Sequence, residues 1–94
     1  MARPKPKPAP VSVHLGGAEW KIRPGRTRVD GCECWGVTVF DDREIIIDPG
    51  TKKQGNEREI LLHESIHVLC PYLDEEVVAA MAVDLDNMLD AMGL

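Results

Sequence analysis

The segment EREILLHESIHVLCP, residues 57–71, constrains the fold of this chain more than any other stretch. Asn56 directly precedes it and is suited to the N-cap of a helix, and acidic residues follow in the first turn, where they complement the positive helix end. Pro71 cannot continue a helix, because it lacks a backbone N–H and restricts the residue before it. We therefore predict a helix that runs from the start of this segment to about Cys70.

The rest of the chain divides into extended segments and a second helix. Alternation of apolar and polar residues, or enrichment in β-branched and aromatic residues, predicts strands at 11–15, 18–24, 35–40 and 44–48. Asp74 is a suitable N-cap for a second helix that ends near Met92, with Gly93 past its end. The predicted class is α+β, a small antiparallel sheet of about four strands followed by two packed helices.

The apolar spacing also predicts which helix faces are buried. Leu62, Ile66 and Leu69 form a stripe on the first helix that we expect to pack against the sheet. The second helix has an apolar stripe that we expect to face the first helix and the sheet, formed by Val78, Met81, Leu85, Leu89 and Met92. Residues 51–56 are polar and are expected to form a loop.

The chain has 94 residues, which is enough for one domain, and we assign that domain to residues 11–94. Residues 1–10, MARPKPKPAP, are expected to be a disordered or extended leader, because proline alternates there with basic or small residues. The formal net charge of −5 argues against a nucleic-acid partner. The longest uncharged apolar run, VVAAMAV, is too short to span a bilayer, so we expect no membrane partner.

The cysteines are Cys32, Cys34 and Cys70. An odd number does not fit a disulfide framework, and no secretory signal precedes the domain. We expect packed or partly exposed thiols and a reducing, cytoplasmic (intracellular) location.

His63 and His67 are four residues apart, so they project from the same face of the predicted helix, one turn apart. Two imidazoles placed in this way can each give one nitrogen to a single Zn²⁺ ion. Glu64 lies one step round the helix, where it can contact a water molecule on the metal rather than the metal, and it is the candidate general base. The alternative is a pair of core histidines that bond to backbone or carboxylate groups.

HESIH on a helix after a sheet resembles the zincin metallopeptidases, and WGVTVF, EIIIDPG and LDEEVV resemble the small gluzincin-like members, including phage-encoded and ImmA/IrrE-type peptidases. The resemblance covers roughly residues 30 to 94. It implies one zinc ion, a water molecule polarised by it, and hydrolysis of peptide bonds. It also implies a peptide or protein substrate that lies extended along an edge strand, here WGVTVF or EIIID.

The third ligand is expected to be a carboxylate, because residues 68–73 read VLCPYL and lack the third histidine of the metzincins. The second helix returns after a short connection, so the ligand should come from its first turn. Asp84 lies roughly 13 Å further along than Glu75, which is too far. By helix phase Glu75 flanks the apolar stripe, whereas Glu76 points away from it. We predict Glu75, with Glu76 as the second choice and Asp74 as a cap.

A second function remains open, a non-catalytic, zinc-stabilised protein-interaction module, since a bound metal stabilises a small core.

Three further residues have weaker expectations. Tyr72 could stabilise an oxyanion, but a packing or rim position is the plainer expectation. Cys70 is expected to be a buried thiol at a helix end. His14 is expected at the surface of the first strand.

Overall fold

A computed structural model describes residues 10–27 and 34–94. Within these ranges the strands are β1 (Val11–Leu15), β2 (Ala18–Pro24), β3 (Gly36–Val39) and β4 (Glu44–Ile47), and the helices are α1 (Gly50–Gln54), α2 (Glu57–Leu69) and α3 (Glu75–Ala91). The predicted α+β class is confirmed. The predicted leader, residues 1–10, lies outside the described residues except for Pro10.

The four strands form one sheet in the order β1-β2-β4-β3. β1 and β2 form an antiparallel hairpin, and its turn has positive φ angles at Gly16 (61°) and Gly17 (82°), as two-residue hairpin turns require. β3 and β4 are also antiparallel, but β2 and β4 pair in parallel, with Ile22 opposite Ile45. The sheet is therefore mixed rather than antiparallel, because β4 returns beside β2 and leaves β3 at the edge.

α2 covers one face of the sheet. Buried on the sheet are Trp20, Ile45 and Ile47, and the partly buried α2 residues that pack against them are Ile60, Leu61 and Val68. The stripe predicted to contact the sheet has a different role, since Leu62 and Ile66 pack toward α3 and Leu69 is 50% exposed. α2 lies between two layers, so it is apolar on two sides and has no single apolar stripe.

α3 packs antiparallel on α2. The buried residues of this contact are Ile66, Val78 and Ala82, joined by partly buried Leu62, Leu73 and Leu85. Arg58 of α2 donates a hydrogen bond from Nε to Asp86 Oδ1 of α3 at 2.6 Å. Met81 and Met92, which were predicted to face α2, are instead 38% and 66% exposed. The apolar contact of α2 with α3 is therefore centred on Val78 and Ala82, and Arg58 adds a polar contact further along α3.

α1 was not predicted, since residues 51–56 were expected to form a loop. The Asp48 carboxylate accepts a hydrogen bond from the Gly50 backbone N–H at 2.8 Å, and the Asp48 carbonyl accepts one from the Thr51 hydroxyl at 2.8 Å. Gly55 ends the helix with a left-handed conformation, φ 76°. α2 and α3 begin after Asn56 and Asp74 as predicted, although neither side chain makes a capping hydrogen bond.

Candidate metal centre

His63 and His67 lie one turn apart on α2, with ring centroids 4.9 Å apart. Their side chains are 20% and 22% exposed, so both rings are largely buried but remain accessible to solvent. Glu75, the first residue of α3, approaches both rings. Its Oε1 lies 2.6 Å from His63 Nε2, and its Oε2 lies 2.8 Å from His67 Nε2. The Nε2 atoms of both imidazoles therefore face a single carboxylate.

The short connection between α2 and α3 brings Glu75 to this place. α2 ends at Leu69, two residues before Pro71, and the Cys70 backbone N–H still donates to the Ile66 carbonyl at 2.7 Å. The Leu73 N–H then donates to the Cys70 carbonyl at 3.1 Å, which turns the chain, and Leu73 packs into the contact between the two helices. α3 consequently starts beside the last turns of α2.

These three side chains could hold a metal ion. One possible ligand atom from each of His63, His67 and Glu75 lies within 4.8 Å of the others. Two imidazole nitrogens and a carboxylate oxygen are donors that suit a divalent transition metal. Glu76, the second choice from the sequence, is exposed and lies outside this group.

Glu64 is the buried acidic group beside the histidines. It is 7% exposed, and its Oε2 is buried without a hydrogen-bond partner among the described residues. Burial raises the pKa of the Glu64 carboxyl above its ordinary range. The negative charge of Glu75 also raises this pKa, while His63 and His67 lower it. A buried acceptor without a partner is costly to the folded state, and among the described residues Asn56 Oδ1 shares this condition with Glu64 Oε2.

β3 passes very close to Glu64. A Cβ atom at Gly36 would lie 2.7 Å from Ile60 Cγ2 and 3.0 Å from Glu64 Cγ, so only glycine fits there without movement of its neighbours. The Thr38 hydroxyl lies 3.4 Å from the Glu64 carbonyl oxygen. Sequence analysis did not single out either contact. A glycine inside a predicted strand was the available signal, since such glycines often mark a close approach.

Other candidate residues lie outside the three-residue group. Tyr72 is 79% exposed, and a hydrogen bond with Cys70 raises the pKa of Tyr72. Cys34 and Cys70 are partly buried, and Cys32 lies outside the described residues. His14 is exposed on β1, as expected from the sequence.

No family model matches the sequence, and no curated protein or solved structure matches it. The fold and the site define an α+β chain with two histidines on a helix and a glutamate from the next helix, a group that could hold a metal ion. Across residues 10–27 and 34–94, no helix has both the length and the apolar content needed to cross a membrane.

Proposed function

We propose that the chain is a zinc-dependent peptidase in which His63, His67 and Glu75 bind the ion and Glu64 is the general base. The observation that carries the proposal is the buried Glu64 oxygen that lacks a partner among the described residues. Glu64 directly follows His63 in the chain. The rings of His63 and His67 both contact the carboxylate of Glu75. A purely structural site has no need of such a group, whereas a base must keep an oxygen for the proton it takes.

Zinc is the ion that suits this donor set. Imidazole nitrogen and carboxylate oxygen are ordinary zinc ligands, and catalytic zinc sites use three protein ligands with one position left open. When bound, zinc would supply Lewis-acid polarisation of a water molecule and of the scissile carbonyl. The Glu75 side chain is 69% exposed, so the group is accessible from solvent.

Glu64 would move the proton of the reaction. It would accept a proton from the attacking water as the new C–O bond forms, and give it to the amide nitrogen as the C–N bond breaks. Its burial supports this role, because a raised pKa makes the carboxylate a stronger base than an exposed glutamate. The close approach of Gly36 restricts where the side chain can turn.

The substrate of this proposal is an extended peptide or protein segment. β3 is an edge strand and passes beside Glu64, whereas β4 lies between β2 and β3 and has both edges paired. Of the two strands suggested by the resemblance, β3 is therefore the one to which a peptide could add by backbone hydrogen bonds.

A zinc-stabilised interaction module is the second candidate, and the small core favours it. In the described part of the chain the buried apolar residues are Trp20, Ile45, Ile47, Ile66, Val78 and Ala82. A metal that joins α2 to α3 would add stability to a core of this size. The same ligands serve both functions, so the role of Glu64 separates them.

The test compares Glu64→Gln with Glu59→Gln, the same substitution on the same helix outside the site. We expect wild type and Glu59→Gln, loaded with zinc, to cleave a quenched fluorescent peptide library or an unfolded protein. Glu64→Gln should retain its zinc and lose activity by about 10²–10⁴-fold, the usual contribution of a general base. Full activity in Glu64→Gln would contradict its role as base. Zinc-loaded wild type that cleaves nothing would favour the interaction module.

A further inference from the structure

α3 carries a second apolar face beside the one that α2 covers. Val77, Met81 and Met88 are 44%, 38% and 49% exposed, although Val78 and Ala82 on the neighbouring face are fully buried. Among the described elements, α2 is the one with which α3 has an extensive contact. The exposed positions, spaced alternately four and three residues apart, form what we call the α3 seam: Val77, Met81, Asp84, Met88 and Ala91.

The spacing of the α3 seam is the one by which one helix packs along another. From Val77 to Ala91 it runs about 21 Å, at about 1.5 Å per residue. Met92 extends it and is 66% exposed. Methionine side chains adapt readily to a partner surface, and exposed apolar residues that cluster on one face commonly mark interaction sites.

Asp84 lies in the middle of the α3 seam and is exposed. Asp86 and Asp90 pair with Arg58 of α2, but no ion pair involves Asp84 among the described residues. α3 itself contains no basic residue. A purely apolar partner would bury this carboxylate without compensation, which is costly. The partner that fits therefore places a positive charge opposite Asp84.

Symmetric pairing of α3 with the α3 of a second copy does not meet that requirement. Asp84 is the central position of the α3 seam, seven residues from Val77 and seven from Ala91. Both the in-register parallel pairing and the symmetric antiparallel pairing of two α3 helices would place Asp84 against Asp84. Two carboxylates held together in an apolar contact repel each other.

We propose that the α3 seam binds an amphipathic helix of a partner protein that has apolar residues at seam spacing and a lysine or arginine opposite Asp84. The surface does not use the metal-binding side chains, since Glu75 turns toward α2 while the seam starts at Val77. The interaction is thus independent of zinc and of peptidase activity.

The test uses two synthetic peptides of about three leucine-rich heptads. They differ at the central seam position, which is lysine in one and glutamate in the other. We expect the 94-residue chain to bind the lysine peptide at least about tenfold more tightly than the glutamate peptide in fluorescence anisotropy. Asp84→Lys should reverse this preference, and Met88→Gln should weaken binding of the lysine peptide by about tenfold.

Val83→Gln is the matched control, because Val83 is 41% exposed on the same helix but outside the seam. It should leave binding unchanged. The proposal is overturned if neither peptide binds, if Asp84→Lys leaves the preference unchanged, or if Val83→Gln weakens binding as much as Met88→Gln. Dimerisation of wild type in sedimentation equilibrium that Met88→Gln abolishes would also overturn it, in favour of a second copy. An unchanged melting temperature of each variant shows that folding is intact.

Discussion

Glu64 is the residue at which the proposed chemistry conflicts most directly with stability. The residue is 7% exposed, one carboxylate oxygen has no partner among the described residues, and the side chain lies against the backbone of Gly36. A buried carboxylate in this state is penalised when it is charged, which is the form that a base requires. Under the proposed function, this penalty is the cost of keeping a proton acceptor beside the two histidines.

The penalty should be visible as a pH dependence of stability. The pKa of Glu64 is higher in the folded chain, because burial disfavours its charged form. Its contribution to stability is therefore fully present below the glutamate pKa of the unfolded chain and is lost as pH rises through the higher pKa of the folded chain. Glu64→Gln lacks this titration. Both proteins are treated with chelator, and their free energies of unfolding are measured by urea titration. The value for Glu64→Gln should increase relative to that for wild type as pH rises through this window. A constant difference between the two proteins would contradict the penalty.

The spacing of HESIH was sufficient to place His63, Glu64 and His67, because helix geometry fixes how residues on one helix relate to each other. Glu75 could be selected as the candidate third ligand because the connection between the two helices is short. Only the position of each carboxylate around the second helix then had to be estimated. The contact of Gly36 with Glu64 could not be derived, since it depends on how a strand distant in the sequence lies against α2.

At the scale of elements, the contact between β3 and α2 depends on Gly36. Gly36→Ala would place a methyl group 2.7 Å from Ile60 Cγ2 and 3.0 Å from Glu64 Cγ, so the helix or the strand must shift. We expect a loss of about 1–3 kcal/mol in the free energy of unfolding, as for other overpacked cores. The measurement is urea unfolding of Gly36→Ala, of Ile60→Ala and of the double variant.

The double variant supplies the control for this contact. Ile60→Ala removes the nearer of the two neighbours, so Gly36→Ala should cost less in that background than in wild type. Equal costs in the two backgrounds would show that the methyl group does not meet Ile60.

The sequence predicted the elements better than their partners. Four strands and the two long helices were recognisable from periodicity, caps and Pro71. The parallel pairing of β2 with β4 could not be predicted, because the sequence of two hairpins does not determine which strand of one pairs with which strand of the other. α1 was missed because a five-residue helix has too little periodicity to recognise. Met81 was assigned to the buried face because an apolar pattern does not show how much of it a neighbouring helix covers.

At the scale of the whole molecule, α2 belongs to both apolar clusters. One cluster joins it to the sheet, the other joins it to α3, and the candidate ligands lie on α2 and at the start of α3. A metal ion bound there would crosslink the two helices that form the second cluster. Metal binding and folding should consequently be coupled in this chain.

If zinc binds at this site as proposed, its removal should lower the melting temperature. With free zinc about 100-fold above its dissociation constant, binding contributes about 2.7 kcal/mol, which corresponds to roughly 10–20 °C for a domain of this size. The comparison is differential scanning calorimetry with zinc and with chelator. His67→Ala should melt at the same temperature in both conditions, whereas His14→Ala, on the exposed face of β1, should respond as wild type does. Identical melting of wild type in both conditions would argue against any stabilising metal.

Zinc content together with X-ray absorption at the zinc edge tests most directly whether His63, His67 and Glu75 bind one zinc ion. We expect about one zinc per chain, with nitrogen and oxygen ligands at about 2.0–2.1 Å and no sulfur ligand. Glu75→Gln should bind zinc more weakly, and Glu76→Gln, its exposed neighbour, should bind it as wild type does. No bound zinc, a sulfur ligand at the metal, or loss of zinc in Glu76→Gln but not in Glu75→Gln would contradict the claim.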